Sequence, residues 1–204
     1  MNEYLRLKQV TLLLAVIWTV LLVASWHWNT LNEKEETVLL ASNELDTSFK
    51  KIEAFRNWFA THGGIYVTMS DELLPNASLD SNRRDLETLS GLKLTLINTP
   101  YLLRDIHTNY MDDSSGSAHM VGWDPINTLN MPDEWEGKAL KLLQTGETEV
   151  EEIVMAESGQ REMRLIRPIR LQESCLECHN QTQVKVGEVL GGLSTSVSML
   201  PYYE

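Results

Sequence analysis

Cysteine is almost missing from this chain: of 204 residues only Cys175 and Cys178 carry a thiol. That excludes a framework of disulfides, and a bridge between cysteines three apart would close too small a loop to stabilise much. Basic charge is scarce as well. Against 29 Asp and Glu stand 17 Lys and Arg, a net charge of −12. Nucleic-acid binding is thereby disfavoured, because it needs cations that displace phosphate counterions. An acidic balance of this kind mainly keeps a surface soluble. Nucleophile–base patterns, phosphate loops and coherent carboxylate pairs are also missing, so no enzymatic activity is expected. There is no internal repeat and no low-complexity segment. What is present is ordinary for a globular protein, 43% hydrophobic and 23% charged, long enough for one domain of about 150 residues plus an appendage.

Charge is missing again along "VTLLLAVIWTVLLVASWHW", Val10 to Trp28, apart from whatever His27 carries. As a helix these residues span roughly 28 Å, the thickness of a bilayer's hydrocarbon core. Trp26 and Trp28 fall at the far end, where amphipathic rings favour the headgroup region. Arg6 and Lys8 precede the run and the mainly acidic "NEKEE" follows it. The positive-inside rule then keeps the N-terminus in the cytoplasm and exports the rest. A cleaved signal peptide is the rival reading, weakened by the lack of an A-x-A site and by the length of the apolar run.

Beyond the anchor, Leu31, Val38, Leu45, Ile52 and Phe59 recur every seven residues, with Ser42, Phe49 and Arg56 at companion positions. This predicts a long amphipathic helix that pairs with a second copy or packs on its own domain. Gly63 and Gly64 end it. Further on, "GIYVTM" and "LKLTLIN" read as strands, "PNASLDSN" as loop, "YLLRDIHTNY" as helix and "MDDSSGSA" as a flexible link. "PDEWEGKALKLLQTG" is a helix with Pro132 near its first turn and Gly146 at its end. Two strands flank "ESGQ", and "VLGGLSTSVSML" forms the last strand. The expected fold class is α+β, with three parts: residues 1–30 as cytoplasmic N-terminus and transmembrane anchor, 31–62 as stalk helix, and 63–204 as the sensor-type domain.

The two cysteines sit in "CLECH", with His179 directly behind Cys178. A redox dithiol normally opens a helix, whereas this cluster lies between strands. Zinc needs a fourth ligand from elsewhere. Covalent haem uses all three residues in this order: the thiols form thioethers with the vinyl groups and the imidazole reaches the iron. Its attachment requires export, which the anchor provides. Zinc and an incidental dithiol stay open on the residues alone.

"RNWFATHGGIYV", "LTLINTPYLLRDI", "DPINTLNMPDEWEGKAL", "LIRPI", "CLECH" and "VGEVLGGLSTSV" occur in that order. Together they resemble the single-haem, c-type PAS-like sensor domain found in the periplasmic part of bacterial histidine kinases and diguanylate cyclases. The resemblance spans about residues 35 to 203. It implies a PAS-like antiparallel sheet with flanking helices, one covalent haem c on Cys175 and Cys178, and His179 as proximal ligand. It also implies a single-pass protein of the bacterial inner membrane with its C-terminal domain in the periplasm. Leu102 stands where the family often carries a methionine ligand. Where the family usually continues into an output domain this sequence reads "PYYE", so action on a partner, electron carriage or a truncated receptor is expected.

The resemblance therefore leaves the distal iron position open or filled by another group. His62 and His107 are the main candidates; His119 is expected to be exposed or a propionate partner, and Met111 and Met120 are softer options. Arg161 and Arg167 should share one strand face and Arg164 and Arg170 the other, with Arg164 and Arg167 as candidates for the haem propionates. Trp58, Tyr66, Trp123 and Trp135 are expected in the core. The leading functional expectation is a haem sensor of redox state or a diatomic gas, signalling to a membrane partner with a homodimer through the stalk. The alternatives are a small electron-transfer cytochrome and a non-haem zinc or structural module.

Overall fold

A computed structural model describes residues 2–111, 116–156, 158–180 and 182–202. A single helix, α1, runs from Asn2 to His62 without a break between its apolar N-terminal part and the amphipathic part that follows. At about 1.5 Å per residue it is roughly 90 Å long. Its N-terminal part is, by length and composition, apolar enough to cross a membrane, and none of that stretch is buried against the rest of the chain. Gly63 and Gly64 stop the helix with φ of +77° and +100°. The Gly64 N–H closes back on the Phe59 carbonyl at 3.2 Å, the left-handed ending that glycine accepts without strain.

After α1 come β1 (Ile65–Thr68), a one-turn helix α2 (Ser81–Arg84), β2 (Asp85–Glu87) and β3 (Lys93–Ile97). Then follow α3 (Thr99–Tyr110), β4 (Ser117–Val121), α4 (Glu134–Thr145), β5 (Val150–Met155), β6 (Arg161–Arg170) and β7 (Val189–Ser198). The strands form two antiparallel sheets, a small one in the order β1-β3-β2 and a larger one in the order β4-β7-β6-β5. The α+β expectation holds, with the larger sheet covered on both faces.

Alternation along β6 explains the two-sided cover. Met163, Leu165 and Ile169 cluster with Ala41, Leu45 and Phe49 of α1, whereas Ile166 joins Ala139, Leu140 and Leu143 of α4. The α1 stripe steps by four residues, because a straight helix on a sheet keeps the 3.6 period. The seven-residue seam is therefore only partly used: Leu45 and Phe59 are buried, but Leu31 and Val38 stay 48% and 37% exposed. Gly192 of β7 makes room for α4, since a Cβ there would meet the Ile166 side chain at 2.6 Å and Leu140 at 3.1 Å.

Polar contacts tie the stalk down along the same line. Ser42 donates to Glu151 at 2.8 Å, Arg167 pairs with Asp46 at 2.9 Å, and Tyr202 donates to Glu44. Two expectations change. Ser117 and Ala118 belong to β4 rather than to a link, because both pair with β7; residues 112–115 of that link lie outside the described residues. Trp58, Tyr66 and Trp123 are not core aromatics but stand substantially exposed.

Candidate functional site

The cysteine cluster occupies a 3-10 turn, Glu173–Glu177, on the loop joining β6 to β7. The neck of that loop is pinned by two backbone bonds: Leu171 N–H to the Glu188 carbonyl at 2.9 Å, and Gly187 N–H to the Leu171 carbonyl at 2.8 Å. Leu171 itself is buried, so the loop leaves the sheet from a fixed base. Inside the turn, the Cys175 carbonyl accepts from the N–H groups of Cys178 at 3.2 Å and His179 at 2.9 Å. Those bonds fold the C-x-x-C-H segment into one compact unit.

Neither thiol is in a disulfide; Cys175 is half-buried and Cys178 exposed. Burial holds the His179 imidazole below the ordinary histidine range, which favours its neutral, ligating form. Two free thiols and a neutral imidazole on one turn are a donor set that fits a thioether-linked haem. Among the described residues, no three His, Cys, Asp or Glu side chains gather in a metal-holding group.

The turn packs against α1. Beyond the sheet, the C-terminal part of α1 forms one wall of an apolar cleft of about 610 Å³, lined by Lys51, Ala54, Phe55, Trp58, Phe59, Ile65 and Leu102. Lys51 is its single charged residue. Phe55 and Trp58 stand exposed at this cleft, a surface suited to the face of a flat apolar ligand.

A second cavity, of about 690 Å³, lies where α3, β4 and the start of α4 meet. At its base sits Glu136, 1% exposed. Its carboxylate accepts from the Asp133 N–H at 3.0 Å and from Arg164 at 3.1 Å, and lies 3.3 Å from the His119 imidazole. Asp133 caps α4 by accepting from the Glu136 N–H at 2.7 Å and also takes Arg164 at 2.6 Å. Burial pulls the His119 pKa down, but the Glu136 carboxylate, the Leu129 carbonyl and the Asp133 charge outweigh it, so the net shift is upward. The D-x-x-E spacing before an apolar run was the available signal for this network; the turn-rich look of "DPINTLNMPDEWE" concealed it.

The structure separates the candidate distal ligands. His62 ends α1, its Nδ1 2.8 Å from the Trp58 carbonyl and its ring stacked on Trp58 at 4.4 Å, so Nε2 is the nitrogen left for a ligand. His107 lines the second cavity instead of the apolar cleft. His119 is neither exposed nor free, since Nε2 meets the Leu129 carbonyl at 3.0 Å and Nδ1 faces Glu136. Met120 packs against the core beneath α1. The predicted split of the strand arginines is correct for Arg164 and Arg167, but both guanidinium groups already hold carboxylates of their own chain. Arg164 takes Asp133 and Glu136; Arg167 takes Asp46 and Glu149. Those pairs lie against α4 and α1.

Sheet, long helix and cysteine turn together define an α+β domain carried on an extended N-terminal helix, with a candidate cofactor turn between its two longest strands. The chain belongs to the Tll0287-like family, whose model matches residues 31–198. This agrees with the resemblance drawn from the six ordered motifs. Among solved structures the chain is similar to the cyanobacterial heme-protein Tll0287, at 12% identity and a TM-score of 0.47 over 76% of this chain and 93% of that one. No curated protein matches it.

Proposed function

We propose that this chain is a membrane-anchored c-type haem module that senses redox state or a diatomic gas and signals through α1. One observation carries the reading: Cys175 and Cys178, both free, share a single compact turn with a half-buried His179. Membership of a family named for Tll0287, itself titled a heme-protein, supports it. Cys175 and Cys178 would hold the haem and His179 would be its proximal ligand, while the apolar cleft beside Trp58 would exclude water from the porphyrin face. When bound, the haem supplies a redox-active iron whose potential depends on its axial ligands. His62 is the distal candidate that the geometry favours.

The domain would face the periplasm, with α1 as its single span in the inner membrane. The same helix would carry a change of packing at the cleft toward a membrane partner. A homodimer through the stalk would use its upper part, where Leu31, Val38, Leu39 and Leu40 remain exposed.

An electron-transfer role is favoured by the exposure of Cys178, Phe55 and Trp58, which would leave a haem edge open to a redox partner. The test is a pyridine haemochrome spectrum after acid–acetone extraction of protein made with the c-type maturation machinery. A retained c-type spectrum, abolished in the Cys175→Ala/Cys178→Ala variant, is expected; extraction of all haem sinks both readings. Labelling of the stalk in oxidised, reduced and nitric-oxide-bound protein then divides them. State-dependent labelling favours the sensor, and identical labelling favours the cytochrome.

A further inference from the structure

The charged side chains of the second cavity are unevenly paired. Arg164 is matched by Asp133 and Glu136, and Glu136 also faces His119. Asp105 accepts the Asn109 amide at 2.9 Å. Arg104 stands apart. It is half-buried in the cavity wall and, among the described residues, makes one hydrogen bond, to the Asn130 side-chain oxygen at 2.5 Å. Among the described residues no carboxylate forms an ion pair with it. A guanidinium offers five N–H donors in a rigid fork, so among the described residues most of its capacity is unused. A partly desolvated cation without a counter-charge calls for an anion. The planar fork matches a carboxylate, which it can hold through two parallel bonds.

The rest of the wall narrows the choice. Asp105 and Asp133 line the same cavity and would repel a multiply charged anion such as phosphate. Leu129, Met131 and Pro132 add apolar surface, with Leu129 and Met131 largely exposed to the space. The volume of about 690 Å³ lies in the range of small-molecule sites. We propose that this cavity binds a small organic monocarboxylate, with its carboxylate on Arg104 and its apolar body against Leu129, Met131 and Pro132.

The probe is benzoate, titrated calorimetrically into the full-length, haem-loaded protein in detergent, with benzamide, benzylamine and inorganic phosphate as comparisons. Saturable binding of benzoate at one site is expected, with the amide, the amine and phosphate at least about tenfold weaker. Arg104→Gln should weaken benzoate by about tenfold or more, whereas Arg104→Lys should recover part of the loss. Met131→Trp fills the cavity from an exposed position and should block benzoate with Arg104 intact; far-UV circular dichroism and Tm confirm that both variants are folded. Benzamide binding as tightly as benzoate overturns the proposal. So does benzoate binding that is unchanged in folded Arg104→Gln or Met131→Trp. No uptake by the haem-loaded protein, as when a propionate of the haem itself holds Arg104, also overturns it.

Discussion

At the scale of single residues, Glu136 ties three elements of the domain together. One carboxylate completes the capping box of α4, anchors Arg164 from β6 and meets His119 from β4. A buried charge is tolerated only when it is paired and hydrogen-bonded, and this one is both. His119 makes the network sensitive to pH. Its folded pKa is raised above the ordinary 6.5, so the protonated form stabilises the fold. That contribution is fully present below about 6.5 and is lost as pH rises through the higher folded value. Urea unfolding of wild type and His119→Gln should therefore differ by about 1 kcal/mol near pH 5.5 and by much less near pH 8.5. A difference that is constant across this window would show that the imidazole acts only by packing.

At the scale of elements, what could be read in advance is what short-range pattern encodes. The β5–β6 hairpin declares itself through its turn and alternation, and α4 through its acids and closing glycine. The C-x-x-C-H turn is a contiguous string. β4 was not legible, because Ser117 and Ala118 follow a polar run and gain their strand only by pairing with β7 some 80 residues away. The Glu136 network was hidden for the same reason, as Arg164 lies 28 residues further along. The heptad in α1 was visible, but not which partner it would face. The packed partner is the sheet, and that makes a contrast. Leu45→Ala, at a position fully enclosed by β6 and β7, should cost about 2–5 kcal/mol in urea unfolding of the full chain in detergent. Leu39→Ala, 60% exposed and nearly two turns above it, should stay within about 0.5 kcal/mol. Equal losses at both positions would mean that a second chain covers Leu39. α3 adds a further link, since Leu102 lines the apolar cleft while Tyr101, Arg104, Asp105 and Thr108 line the second cavity. Those four recur at i, i+3, i+4 and i+7, so one helix is the common wall of two sites.

At the scale of the whole molecule, charge and compartment have to agree. Arg6 and Lys8 precede the apolar run with only Glu3 against them, while the rest of the chain carries 15 basic and 28 acidic residues, 17 − 2 and 29 − 1. On the proposed reading, Arg6 and Lys8 beside the apolar run would keep the N-terminus in the cytoplasm and the acidic domain would cross. Alkaline phosphatase fused after Glu204 should therefore be active in a bacterial host, and a green fluorescent protein fused at the same point should be dark. Arg6→Glu and Lys8→Glu, combined with Glu33→Lys, Glu35→Lys and Glu36→Lys, should invert an appreciable fraction of the chains and lower phosphatase activity several-fold. On the proposed reading, haem attachment would report the same event independently, because the thiols of Cys175 and Cys178 would meet the maturation machinery only outside the cytoplasmic membrane. The inverted fraction should lose covalent haem in proportion to its loss of phosphatase activity. Bright fluorescence from the unmodified chain, or covalent haem that is unaffected by inversion, would break the connection between anchor and cofactor on which the sensor reading depends.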